Sequence, residues 1–322
     1  MRVLPANKKS APLKRADFGC LRRYQVLNLT RGCLHSCVYC YARGYRNAPE
    51  KDTVYFYRNL PSALRRDLDN PRRRRKIPAV AFNTASDCFQ PHPDILEIAH
   101  ESMRILLSRG VTISFLTKGR IPASFIRLFA EYPELVRARM GMVSPFEDFR
   151  RRFEPGAAPI EERLEAIREL KQADVSLSVR VDPVIPFVSD DEETFSRLLQ
   201  LLSEQGVAQA SLSYLQLRPG VLERLREELP GTQFQLLSGC FRSGEWARPD
   251  GTTWSRLVPA SLRRKGHERF REQARLHGME VAICACKNPD LPGQLCDADP
   301  QKAQTRRGIT RSSQKRLSLF DC

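Results

Sequence analysis

The feature that most limits the fold of this 322-residue chain is a regular exchange of two periodicities between residues 24 and 217. Short apolar runs, YQVLNLT (24–30), AVAFNT (79–84), VTISFLT (111–117), ARMGMVS (138–144), VSLSVRVDPVI (175–185) and AQASLSYLQL (208–217), read as buried strands. Residues 94–110, 122–132, 159–173 and 190–206 carry the spacing of amphipathic helices, and 59–69 suits another. Strand and helix patterns that alternate predict a parallel sheet wrapped by helices, because parallel neighbours need a crossover. The span falls short of the about 250 residues of a closed eight-fold barrel. The expected fold is therefore α/β, an incomplete (β/α)6 barrel with a C-terminal extension. After residue 230 the pattern changes. FQLLSGC (234–240) reads as one more strand, 261–278 as a basic helix, and MEVAICAC (279–286) as strand-like. The expected organisation is a basic segment 1–23, the barrel 24–230, a Cys-rich extension 231–300 and a basic tail 301–322.

The chain has ten cysteines. No long uncharged apolar run predicts a membrane span, and MRVLPANKKSAPLKR at the N-terminus has no apolar core of a secretory signal, so a cytoplasmic location is the expectation. There, thiols are reduced, and clustered cysteines suggest metal ligation or redox chemistry rather than disulfides. Cys33, Cys37 and Cys40 fall in one loop, spaced C-x3-C-x2-C, directly after the first strand. Three thiolates there can hold three irons of a cubane and leave the fourth iron open to a small molecule. Zinc is the alternative, although a zinc site wants four ligands and His35 is awkwardly placed to supply one. CACKNPDLPGQLC (284–296) places Cys284, Cys286 and Cys296 in a second group, with Cys240 upstream. These four are expected to form a cage for a second [4Fe–4S] cluster, with a zinc site or unligated redox thiols as the alternatives. Cys20, Cys88 and Cys322 stand alone in the sequence.

Net charge is +16, and it is concentrated: residues 1–24 carry +6, 65–76 carry +5 and 301–322 carry +5. Clustered positive charge suits a polyanion, and nucleic acid is the expected partner. Solvated basic ends that serve solubility are the plainer reading.

The run RGCLHSCVYCYAR (31–43), with Tyr39 before the third cysteine, resembles the signature of the radical S-adenosylmethionine (SAM) superfamily, in particular the branch containing spore photoproduct lyase. TASDCFQP (84–91), FLTKGR (115–120) and the long segment 153–190, with FEPGAAPIEERL and RVDPVIP, are similar to that branch's later segments and occur in the same order. The resemblance covers about residues 24–190 and implies a TIM-type radical SAM barrel. It also implies that Cys33, Cys37 and Cys40 ligate a [4Fe–4S] cluster, that SAM chelates the open iron, and that reductive cleavage yields a 5′-deoxyadenosyl radical that abstracts hydrogen from a substrate. An electron donor such as a flavodoxin or ferredoxin is the implied partner, and the implied reaction is lyase-like or modifies a nucleic acid, as in DNA repair. A peptide or small-molecule substrate is the competing reading, and a non-catalytic nucleic-acid-binding metalloprotein the third.

On the same resemblance, Tyr39 packs near the adenine, Lys118 faces the SAM carboxylate and Ser144 hydrogen-bonds SAM. Arg180, inside an apolar strand, needs an anion, from either SAM or Glu154. Glu154 and Arg163 can equally form a structural pair. Asp87, at a strand's C-terminal end, is expected to meet SAM or substrate. Where photoproduct lyase carries a hydrogen-donating cysteine this chain has Thr84, and Cys88 is the nearest thiol that could take that role. Lys287 and the basic helix near the second cysteine group form an expected approach for a polyanionic substrate, and His277 is expected to be a surface residue at that helix's end.

Overall fold

The structure, a computed structural model, describes residues 1–293 except 18, 23, 73–75, 243, 245 and 249–253. Cys296, Cys322, the 301–322 tail and the centre of the Arg72–Lys76 run lie outside the described residues.

In chain order the first part comprises β1 (Arg2–Ala6), β2 (Lys14–Arg15), β3 (Gln25–Leu27), β4 (Thr30–Arg31), β5 (Thr53–Tyr57) and α1 (Leu60–Leu68). The repeated units follow as β6 (Ala79–Phe82), α2 (Pro93–Leu107), β7 (Thr112–Thr117), α3 (Ala123–Glu131), β8 (Val136–Gly141), α4 (Glu147–Phe153), α5 (Ile160–Gln172), β9 (Ser176–Val184), α6 (Glu192–Glu204) and β10 (Gln209–Tyr214). The remainder is β11 (Gln216–Leu217), α7 (Val221–Glu228), α8 (Gly231–Gly239), β12 (Trp246–Ala247), β13 (Ser255–Leu257), α9 (Ala260–Leu276) and β14 (Glu280–Ile283).

The main sheet has eight strands in the order β14-β10-β9-β8-β7-β6-β3-β2. From β3 to β14 every neighbouring pair is parallel, and only β2 joins antiparallel. Spatial order follows chain order without reversal. Crossovers of one hand that always step the same way keep the helices on one side and curl the sheet, as in a β/α barrel rather than a doubly wound fold. All four residues of β6 are buried, as expected of a parallel strand covered on both faces. Around it α2 buries Ile95, Ile98, Ala99, Met103 and Leu106, and α6 buries Phe195, Leu198, Leu199 and Leu202. Asp191 caps α6 by accepting from the Thr194 amide at 2.8 Å, and Glu192 and Glu193 favour its first turn.

The six expected strand–helix units are all present, with three differences. The sheet continues past residue 230, because β14 pairs with β10 in parallel as a seventh strand. Residues 234–240, expected as a strand, lie mostly in α8, which starts behind Pro230. The N-terminal residues, without periodicity, supply β1 to a small separate sheet of order β1-β5-β4. Among the described residues no helix is long and apolar enough to cross a membrane.

Candidate active site at the strand ends

The C-terminal ends of the parallel strands collect the chemistry. The cysteine loop follows β3 and β4, Asp87 lies beyond β6, Lys118 follows β7, Ser144 follows β8, Asp182 lies near the end of β9 and Lys287 follows β14. Sites of β/α barrels form at this face because each strand ends there in a loop free to vary.

Several groups from distant segments hold the cysteine loop. The Leu34 amide donates to Gln90 Oε1 at 2.8 Å, and Gln90 in turn donates to Thr30 Oγ1 and the Asp87 carbonyl. The Val38 amide donates to the Phe153 carbonyl at 2.9 Å. Arg224 of α7 donates to the carbonyls of Val38 and Cys40, each at 2.8 Å. Two glycines allow the close packing. Gly32 has φ +86°, and a Cβ there would lie 2.7 Å from the Thr53 carbonyl; a side chain at Gly156 would run into Leu34 and His35.

Cys33, Cys37 and Cys40 form one electrostatic group. Burial, then the charge of Asp87 and of the other two cysteines, pushes the Cys33 thiol well up. Burial, with Glu154 next, pushes Cys37 up to about 12. Cys33 and Cys37 thus stay protonated until a metal takes them as thiolates. His35 beside them is 2% exposed, and its Nε2 has no hydrogen-bond partner among the described residues. Its Nδ1 lies 3.4 Å from Asp87 Oδ2, and burial holds the ring's pKa down, so it stays neutral at pH 7. Three thiols in one loop and an orphaned buried nitrogen fit an iron–sulfur cluster with three protein ligands.

Behind the loop lies a buried charged network. The Tyr39 hydroxyl donates to Glu154 Oε1, and Glu154 Oε2 lies 2.6 Å from Arg163 Nη2, with both side chains almost fully buried. Lys118 Nζ is 4.0 Å from Glu154 Oε1, 5.7 Å above the Tyr39 ring and 3.3 Å from the Asp182 carbonyl. Burial alone would raise the Glu154 carboxyl, but Arg163 and Lys118 outweigh it and hold the group below its usual range. Arg163 also donates to the carbonyls of Ala158 and Gly141, so the pair fixes the 145–160 loop. Tyr39 and Lys118 thus sit together beside the cysteine loop.

The other expected residues find different partners. Arg180 Nε pairs with Asp182 Oδ2 at 2.8 Å, not with Glu154, which Arg163 occupies. Asp182 also takes Lys287 Nζ at 2.5 Å, and these two cations hold its carboxyl far below the usual range although burial opposes them. Asp87 accepts from Thr117 Oγ1 and the amides of Phe89 and Lys118 at 2.8–2.9 Å, so its carboxylate ties the loop after β6 to the end of β7. Cys88 is 0% exposed inside the main apolar core. Its thiol is pushed well up by burial and then by the charges of Asp87 and Cys33, which places it next to the strand-end group. Ser144 Oγ accepts from the Phe146 amide at 3.2 Å ahead of α4, and the hydroxyl keeps its own hydrogen for donation.

The second cysteine group comes together only in part among the described residues. Among the described residues, the group of possible ligands lying within 4.8 Å of one another is Cys20, Cys284 and Cys286. Cys240 caps the C-terminal end of α8 and packs against the main core, not in this group. Cys296 lies outside the described residues. Sequence reading misses Cys20, Arg224, and an aromatic group at the mouth in which Arg218 lies 4.5 Å above the Tyr41 ring and donates to the Tyr45 hydroxyl at 3.2 Å. The helical spacing of VLERLREE (221–228) is a readable signal for Arg224; Cys20 has none.

Comparison with known proteins agrees with this site. The radical SAM superfamily profile matches residues 27–199, more than half of the chain. An uncharacterised protein of Mycobacterium tuberculosis is 29% identical over 205 residues, covering 61% of this chain and 59% of its own length. A radical SAM Nα-GlyT isomerase of Pseudomonas phage M6 is 21% identical over 265 residues, covering 81% of this chain and 53% of that protein. The chain thus spans less than two thirds of the length of these curated relatives. Spore photoproduct lyase, solved with a dinucleoside spore photoproduct, superposes with a TM-score of 0.65 at 17% identity, covering 87% of this chain and 81% of that one. The chain belongs to the radical SAM superfamily and has the fold of its spore photoproduct lyase-like branch.

Proposed function

We propose that the protein is a radical SAM enzyme that acts on a nucleic acid or a nucleotide-like substrate. The observation that carries this reading is the cysteine loop set at the C-terminal face beside the Tyr39–Glu154–Lys118–Arg163 network. Cys33, Cys37 and Cys40 would hold a [4Fe–4S] cluster, and the remaining iron would take SAM. When bound, the two supply reductive cleavage of SAM and hydrogen abstraction from a substrate.

The chain's own residues bind and shield. Lys118 presents a cation at the site whose charge is only partly matched by Glu154 at 4.0 Å, which suits the carboxylate of SAM. Tyr39 stays a neutral donor because burial and Glu154 push its phenol well up. Gln90 and Arg224 hold the loop backbone so that the three thiols keep their relative positions.

The nucleic-acid reading rests on the +16 net charge and on the Arg218–Tyr41–Tyr45 group, where Tyr41 is 38% exposed and can stack on a base. It is in keeping with the dinucleoside ligand of photoproduct lyase. Anaerobically reconstituted protein, given SAM and a strong reductant, should form 5′-deoxyadenosine. Its affinity for single-stranded DNA or RNA should fall with salt at a log–log slope of about −0.7 per phosphate contacted. No 5′-deoxyadenosine would sink the enzyme reading, and a flat salt response would sink the nucleic-acid one.

A further inference from the structure

The sheet is open, and its two edges are built from residues far apart in the chain. One edge is β2 and β3, joined through the turn Gly19–Leu21 that carries Cys20. The other is β14, which leads through Cys284 into the turn Ala285–Lys287 that carries Cys286. These two turns touch. Cys20 Sγ lies 3.6 Å from both Cys284 Sγ and Cys286 Sγ, and the latter two are 2.7 Å apart. With Leu21 the three make a small apolar cluster separate from the main core, in which Cys284 is 2% exposed.

We propose that Cys20, Cys284 and Cys286 bind one zinc ion, with water in its fourth position, that clasps the first and last edges of the sheet. A single tetrahedral ion with metal–sulfur bonds of about 2.3 Å sets its sulfurs about 3.8 Å apart, close to the two separations from Cys20. A cubane puts each thiolate on a different iron and needs a wider spread. The Cys284–Cys286 pair has only to open by about 1 Å to take its place on the same ion. Three soft sulfurs select zinc over oxygen-loving ions such as magnesium, and each thiol releases its proton as it binds. A disulfide, about 2.05 Å between sulfurs, would join at most two of these residues and leave the third outside the bond.

The location gives the ion a task. Among the described residues the sheet ends at β2 and β14, which share no ladder, and the clasp links these two edges. It also anchors Lys287, the residue after Cys286, whose ammonium reaches Asp182 at the strand-end site. The proposal does not depend on the catalytic reading.

The test uses the full chain with Cys33, Cys37 and Cys40 all changed to Ala, which removes the first loop's ligands. Elemental analysis should find about one zinc per chain without acid-labile sulfide, and cobalt should replace it with the absorption of a tetrahedral thiolate centre. Adding Cys284→Ser should remove the ion, and adding Cys240→Ser should leave it. A chain that holds no zinc and takes up no cobalt overturns the proposal, as do iron with sulfide in equal amounts, or zinc retained after Cys20, Cys284 and Cys286 are all changed to Ser. Should the serine variants fail to fold, alkylation of the unaltered chain decides. Cys20, Cys284 and Cys286 should resist iodoacetamide until a chelator is added. Labelling that a chelator does not change, or a disulfide among them in the intact mass, overturns it.

Discussion

The two cysteine groups of this protein are built in opposite ways. Cys33, Cys37 and Cys40 are gathered by a loop, within eight residues of chain. Cys20, Cys284 and Cys286 are gathered by a sheet, across a separation of 266 residues. The first group sits among ionised neighbours, Asp87 and the Glu154–Arg163–Lys118 network, and is braced by Gln90 and Arg224. The second sits in an apolar cluster at a seam between strand edges. A reactive centre needs charge and donors arranged around it, whereas a clasp needs only ligands and a seam to join. The difference also teaches what spacing can reveal: ligands collected by a loop leave a motif, and ligands collected by topology leave none.

The largest effect should separate the two groups cleanly. Cys37→Ala should reduce 5′-deoxyadenosine formation to background and lower iron content, while the cobalt or zinc bound at Cys20, Cys284 and Cys286 stays constant. Chromatographic product assay and elemental analysis read both at once. Loss of both metals together would show that the two groups form one site and would break the comparison.

Next in size is the charged network behind the loop. Glu154→Gln leaves Arg163 buried at 0% exposure without its anion, and removing one partner of a buried pair costs about 3–5 kcal/mol. The urea midpoint should fall accordingly. The effect has a pH signature. The folded Glu154 carboxyl is held below its usual range, so its contribution is complete above the unfolded value of about 4.3 and is lost as pH falls through the folded value. The gap between wild type and variant should therefore be widest at neutral pH and narrow in acid. A gap that widens in acid would mean Glu154 is protonated in the native protein.

Much of the fold is legible in the amino-acid order alone. The six strand–helix units announce themselves because parallel strands buried on both faces are continuous apolar runs, AVAF of β6 being the plainest. Residues 234–240 mislead because a short apolar run fits strand and helix alike; Pro230, seated at the start of α8, is the helix signal that decides between them. β1 is hidden by Pro5 and by its partner β5, some fifty residues on. In the site, the loop cysteines, Tyr39, Lys118 and the Glu154–Arg163 pair lie in motifs, while the anion of Arg180 is misread because Asp182 sits two residues along its own strand. Nearness in sequence groups Cys240 with Cys284 and Cys286, and only the contact of the Gly19–Leu21 turn with the Ala285–Lys287 turn shows that Cys20 is their neighbour.

A smaller effect tests the bracing of the loop. Arg224→Met removes two charged donors, to the carbonyls of Val38 and Cys40, and should lower stability by about 2 kcal/mol. Because both bonds hold the first group and neither touches the second, iron loss in air should speed up while alkylation of Cys20, Cys284 and Cys286 stays unchanged. Equal exposure of both sets of thiols would mean that α7 supports the whole barrel rather than the loop.

The smallest effect probes a thread between the groups. Lys287 follows Cys286 and reaches Asp182 Oδ2 at 2.5 Å, and the Asp182 carbonyl accepts from Lys118 in the first group's network. The ammonium is a quarter exposed, so screening limits the pair, and Lys287→Met should cost about 1 kcal/mol at neutral pH. Lys287 and Arg180 hold the Asp182 carboxyl far below its usual range against the effect of burial. The contribution is thus full above the unfolded carboxyl value of about 3.9 and fades as pH falls below it, so urea midpoints of wild type and Lys287→Met should converge in acid. In a double-mutant cycle, Lys287→Met and Asp182→Asn should be non-additive by a similar amount. If the two changes add independently, no thread joins the groups, and each stands on its own part of the sheet.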